Sequence, residues 1–143
     1  MEYKVNIYIE TSRHGPSKGP GKYMYILEYV LKNGNPYTVS GTESFEETYE
    51  NELVLKAIIA SIKRLSKQCS VTVFTGCSYV INSINAGWPE QWKKKGWVRA
   101  GDKPIRNLEL WKELLKVMEP HTVIFTKEEH TYKRWMLEQL KGE

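Results

Sequence analysis

Three times within the first 44 residues the sequence takes on β-strand character, and after that its period changes for good. Val5, Ile7 and Ile9 alternate with other residues through YKVNIYIE (residues 3–10), which predicts a first strand. A loop rich in glycine and proline, TSRHGPSKGPGK, follows. YMYILEYVLK and YTVSGTES then read as second and third strands around an NGNP turn. From Ser44 the spacing becomes helical. Ser44 is predicted to cap a helix with Glu46 and Glu47 in its first turn, and Leu53, Ala57, Ile58, Ala60, Ile62 and Leu65 form its apolar side. SVTVFT (70–75) is a short β-branched run suited to a buried parallel strand. Helices are predicted over 77–87, 89–96 and 105–119, a last strand over 121–127 and a closing helix from His130. Hairpin strands first and crossovers later predict an α/β domain, a mixed sheet with helices packed on it. No repeat or boundary divides it, so residues 1–143 are expected to form one domain.

Charge is distributed less evenly than the composition implies. The chain carries 21 Lys or Arg against 17 Asp or Glu, a net +4. Residues 85–106 alone hold six basic and two acidic side chains, so the remainder is neutral. That stretch also sets Trp88, Trp92 and Trp97 around Lys93, Lys94 and Lys95, with Arg99, Lys103 and Arg106 following. Cations bind phosphates and flat aromatic faces bind sugars and bases, so nucleic acid is the partner this segment predicts. Trp111 falls on the apolar side of its helix with Leu108, Leu114 and Leu115, and is expected to be structural. Two cysteines, Cys69 and Cys77, lack disulfide or metal spacing and are expected to be reduced. No apolar run approaches membrane-spanning length and the N-terminus lacks a signal pattern, which predicts a cytoplasmic protein. His14 and His121 read as surface loop residues without partners.

The order of elements, together with WKKKGW, the following KP and N, and LW within residues 88–111, resembles type 1 ribonuclease H almost end to end. The resemblance implies a five-stranded mixed sheet with helices on both faces and a basic protrusion that grips an RNA–DNA hybrid. It also implies four carboxylates holding two Mg2+ ions roughly 3.5–4 Å apart. Carried over residue by residue, the first carboxylate falls on Glu10, where the family has Asp, and the second on Glu52 of the Glu-Leu pair. The third falls on Gly76 in FTGCSYV, which has no side chain. The fourth falls near Lys133, Arg134, Trp135 or Met136, with Glu138 a turn later. Thr11 replaces the family's glycine, Ser78 its glutamine, and Asn51 is the one Asn left in its Asn-rich turn. His130 lies near the family's mobile histidine.

These departures imply that the grip is kept and the hydrolytic centre is lost. The expected site is then a remnant pair, Glu10 and Glu52, holding at most a weak Mg2+. Nucleic-acid contacts are expected from Trp88, Trp92, Lys93, Lys94, Lys95, Trp97, Arg99, Lys103, Arg106 and Asn51. Arg134, with Lys133, is expected to substitute its charge for a metal. The expected function is binding of an RNA–DNA hybrid or other duplex with little or no hydrolysis. Two alternatives stand beside it. One is a Mg2+-dependent hybrid ribonuclease rearranged around Glu10, Glu52 and Glu138, and the other is a protein-interaction subunit.

Overall fold

The computed structural model describes residues 3–99, 101 and 104–142. Its elements are β1 (Tyr3–Thr11), β2 (Gly19–Val30), β3 (Pro36–Thr48), α1 (Glu50–Lys63), β4 (Cys69–Phe74), α2 (Ser78–Asn85), α3 (Trp88–Lys94), α4 (Leu108–Met118), β5 (Thr122–Thr126) and α5 (Lys133–Lys141). The strands form one sheet in the order β3-β2-β1-β4-β5. β1, β2 and β3 pair antiparallel, whereas β1, β4 and β5 pair parallel. The expected mixed sheet with helices on both faces is the one found.

Alternation along β1 decides which side chain meets which helix. Val5, Ile7 and Ile9 face the larger core, with Leu53, Leu55 and Ile58 of α1 and Trp111 and Leu114 of α4. Tyr8 faces the other way, into a smaller cluster with Met24, Ile26 and the α5 residues Met136 and Leu140. α1 is apolar nearly all round, with Leu53, Val54, Leu55, Ala57, Ile58, Ile59 and Ile62 buried. Such a helix must be covered on several sides, and here the sheet and α4 cover it. Among the described residues no helix is long and apolar enough to cross a membrane.

The predicted helix start at Ser44 is incorrect. β3 continues to Thr48, and α1 begins at Glu50 after Tyr49. Ser44 and Phe45 pair with Lys22 and Gly21 of β2, and Phe45 packs on the Tyr23 ring. Ladder bonds and that ring contact outweigh the local capping preference of Ser44. The same pairing draws GPGK into β2, four residues earlier than predicted. Gly21 permits it, since a Cβ there would stand 2.8 Å from Leu53 Cδ1 and 2.9 Å from Thr48 Cγ2. His121 is not partnerless either, for its Nδ1 accepts the backbone N–H of Cys69 at 3.0 Å. Cys69 and Cys77 are both buried, and neither is in a disulfide among the described residues.

On the α5 side of the sheet, Glu28 is a hub. It accepts hydrogen bonds from Asn6 Nδ2 (2.9 Å), Tyr8 OH (2.6 Å) and Tyr132 OH (2.7 Å), and so ties β1, β2 and the start of α5 together. Burial opposes its charge, but the three donors outweigh burial and hold the carboxyl below its usual range. A carboxyl depressed in the folded state stabilises above its unfolded value, and that stabilisation disappears as pH falls through the folded value. Glu28→Ala should therefore cost about 1–3 kcal/mol at neutral pH, with the deficit shrinking below about pH 4. Thermal unfolding of both proteins from pH 7 to pH 3 checks this.

Candidate nucleic-acid interface

Parallel pairing of β1 with β4 places their C-terminal ends side by side. The last pair is Tyr8 with Phe74, so Glu10 and Gly76 each lie two residues further on. Ligands of open α/β sheets gather beyond these strand ends. A cleft of about 360 Å3 opens there, lined by Glu10, Glu50, Gly76, Lys127, His130 and Lys133 among others. Glu10 is already engaged: its Oε2 lies 2.9 Å from His130 Nε2, and the His130 side chain is only 5% exposed. The imidazole is held at 4.5 Å over the Tyr8 ring and edge-on to Phe74. His130 Nδ1 is buried without a hydrogen-bond partner among the described residues.

Glu52 does not line this cleft. It accepts a hydrogen bond from Thr48 Oγ1 at 2.7 Å and faces an adjoining hollow with Tyr49, Asn51, Arg106 and Asn107. Glu50 lines the cleft with Glu10, as do Glu128 and Glu129 of the connection from β5 to α5. It stands in the first turn of α1, where the helix dipole favours a negative charge. It also accepts the Gly15 N–H at 3.0 Å and lies 3.4 Å from His14 Nδ1, so His14 has a partner after all. At about 100° per residue, side chains two apart on a helix point to nearly opposite sides, so Glu50 and Glu52 cannot both face Glu10. The signal was in the spacing: Glu50 precedes Val54 by one turn, and Val54 lines the same cleft.

The ribonuclease H family works with Mg2+, which demands hard oxygen ligands in near-octahedral array. The donors here do not fit a two-ion centre. The position that the resemblance assigns to the third carboxylate is Gly76, Lys127 and Lys133 bring amines into the cleft, and His130 occupies an oxygen of Glu10. Among the described residues no group of three His, Cys, Asp or Glu side chains is arranged to hold an ion. Lys133 lines the cleft, whereas Arg134 faces an adjoining depression with Glu138 and Lys141, whose walls Glu129, His130, Lys133 and Leu137 are shared with the cleft.

The Trp/Lys segment forms α3 and the chain after it. Trp92 turns inward, its ring edge-on to the fully buried Trp111 at 6.1 Å. Trp97 is half-buried beneath Lys112, while Trp88 is 46% exposed beside Trp92. Trp88, Trp92, Lys95, Arg99 and Arg106 surround a hollow of about 380 Å3. Lys93 and Lys94 are exposed at the end of α3, and Lys103 lies outside the described residues. Arg106 also borders the hollow containing Asn51 and Glu52, and Glu50 borders both that hollow and the cleft. A single track of shared walls thus runs from the protrusion to Glu10.

A half-open α/β cleft joined to an aromatic and basic protrusion defines a nucleic-acid-handling domain of the ribonuclease H type. The RNase H family pattern matches residues 2–129, and the chain belongs to that family. It is 35% identical over 122 residues to a ribonuclease H of Lachnoclostridium phytofermentans, covering 85% of this chain and 77% of that protein. With a ribonuclease H of Caldanaerobacter subterraneus it shares 38% over 123 residues, 86% of this chain and 76% of that one. Among solved structures it superposes with a TM-score of 0.79 on a type 1 RNase H with the type 2 active-site motif. That match is at 21% identity and covers 99% of this chain and 70% of the other. A foamy viral protease-reverse transcriptase in complex with RNA/DNA hybrid matches with a TM-score of 0.69 at 14% identity, covering 96% of this chain and 19% of that one.

Gly76 offers a direct test of the donor set. A Cβ built there meets nothing within 4 Å and the backbone is not left-handed, so an Asp fits without displacing a neighbour. Gly76→Asp should fold with stability within about 0.5 kcal/mol of the parent. It should also gain a Mg2+-dependent rise in Tm larger than the parent's, which calorimetric titration and melting with and without Mg2+ would show.

Proposed function

We propose that this chain holds an RNA–DNA hybrid, or a duplex of similar shape, along the track from the protrusion to the cleft, with little or no hydrolysis. The observation that carries the proposal is the contrast between the two ends of that track. The protrusion presents exposed lysines and a half-exposed Trp88 on a helix anchored by Trp92, the arrangement a phosphate backbone and flat sugars require. The cleft has Gly76 at the position the resemblance assigns to a third carboxylate, and Lys127 and Lys133 stand among its acids Glu10, Glu50, Glu128 and Glu129.

In this reading Glu10 and Glu50 are remnant carboxylates, and His130 orients Glu10 through their hydrogen bond in place of a metal. Glu52 belongs to the neighbouring hollow, with Asn51 and Arg106 as contacts for the strand that passes there. Lys133 is better placed than Arg134 to meet the phosphate nearest Glu10. A second reading retains hydrolysis. It is favoured by Glu10 and Glu50 sharing the cleft and by the ribonuclease H name of the relatives.

Two measurements separate the readings. Anisotropy of a labelled hybrid should show log affinity falling linearly with log salt. Lys93, Lys94 and Lys95 changed together to Gln should lower that slope by up to about 2.7, three phosphates at about 0.9 each. Trp88→Ala should cost about 1–3 kcal/mol of binding with little loss of stability. Binding insensitive to salt and to these changes would remove the first reading. Incubation of the hybrid with Mg2+ or Mn2+ should leave it intact, and cleavage lost in both Glu10→Gln and Glu50→Gln would establish the second.

A further inference from the structure

β1 and α1 both run from the cleft to the far side of the molecule. Lys4 lies six residues before Glu10, about 20 Å along a strand, and Arg64 caps the end of a 14-residue helix whose first residue is Glu50. At that far end, the tip of the β2–β3 hairpin and the connection from α1 to β4 enclose a groove of about 510 Å3. Four of the nine large apolar side chains exposed among the described residues line it: Tyr3, Val30, Leu31 and Tyr37, the two tyrosines each 58% exposed. Lys4, Arg64 and Lys67 line it too, and no Asp or Glu does. Among the described residues Lys4 and Lys67 form no ion pair with any carboxylate. Arg64 is held in place by its bonds to Tyr25 OH at 3.1 Å and Ser40 O at 3.4 Å.

We propose that this groove docks an extended, acidic segment of a partner protein that carries aliphatic or aromatic side chains between its carboxylates. Contiguous exposed apolar surface marks an interaction site, and tyrosine with arginine is the pairing that protein contacts favour. Charge complementarity selects the partner: three cations without a carboxylate among them attract acids and repel basic segments. Nucleic acid is the poorer match. Val30 and Leu31 offer no flat face for stacking, and a phosphate backbone would leave both uncovered. The groove is independent of the track and about 20 Å from Glu10, so both sites can be filled at once. The domain then tethers a duplex to a protein with an acidic tail or loop.

The test uses the full chain and a fluorescein-labelled ten-residue peptide alternating Asp with Leu and Phe. Controls are the same peptide with Lys in place of Asp, and a ten-nucleotide thymidine strand. Anisotropy should show saturable binding of the acidic peptide, retained when the track is saturated with hybrid. The Kd should rise at least tenfold in Lys4→Glu combined with Lys67→Glu, and at least fivefold in Tyr37→Ser, all three side chains being exposed. Amide shifts on peptide addition should cluster at residues 29–39 and 64–69. The proposal is overturned by no saturable binding, by displacement with hybrid, or by equal binding of the Lys peptide. It is equally overturned if the thymidine strand binds more tightly than the acidic peptide and loses affinity in the same variants.

Discussion

Parallel pairing between β1 and β4 is the constraint on which the rest of the molecule depends. Register fixes Tyr8 against Phe74, and so brings Glu10 and Gly76 to the same edge without any contact between their side chains. The same pairing requires a crossover from β3 through α1, because parallel neighbours cannot be joined by a tight turn. That crossover carries Glu50 to the strand ends and Arg64 to the opposite side. A one-residue slip would exchange Val5, Ile7 and Ile9 with Tyr8 between the two faces. The large core would lose its aliphatic floor and the Glu28 hub its tyrosine. Sheet register and site geometry are thus one constraint.

Within the cleft, the neighbours of Glu10 are those of a carboxylate held by protein groups. An acid left alone in a half-closed cleft loses hydration without compensation, and a hydrogen bond or a cation relieves that cost. His130 supplies the hydrogen bond at 2.9 Å, and Lys127 and Lys133 supply positive charge. Gly76, at the same edge, adds no charge. Lys127 is further tied to Ser78 Oγ at 3.2 Å, at the start of α2. These neighbours act in one direction on Glu10: no charge from Gly76, amines within the same cleft and an internal partner in His130.

The mixed sheet, most of its strands along the chain and the role of Trp111 were legible in the sequence, since each rests on periodicity and burial. Where the reading failed, long-range contacts overruled local preference. Ser44 looked like a helix cap because its pairing with Lys22 lies 22 residues away in sequence and leaves no local trace. The resemblance pointed to Glu52 through its Glu-Leu pair, whereas helical phase sets Glu50 on the side of Val54, and these two line the cleft with Glu10. His130 was noticed through the resemblance, but its contact with Glu10, 120 residues away, has no sequence signature. His14 and His121 were left without partners for the same reason.

The protrusion shows how such a grip can be kept on a short element. α3 has only seven residues and could not persist alone in water. Its position is set from beneath, by Trp92 against Trp111 and by the Tyr79 hydroxyl. That hydroxyl accepts from Trp111 Nε1 at 2.9 Å and donates to Arg106 O at 3.3 Å. Gly96 and Trp97 then both adopt left-handed backbone, φ 74° and 68°, and the Trp97 N–H returns to Trp92 O. A left-handed tryptophan costs about 1–2 kcal/mol, a cost the burial of its ring offsets. The lysines contribute little to this scaffold: Lys93 lies 3.8 Å from Glu119 at the end of α4, an exposed pair of small worth. Their charge thus has little structural duty, whereas the tryptophans divide between those that build the protrusion and Trp88, which it displays.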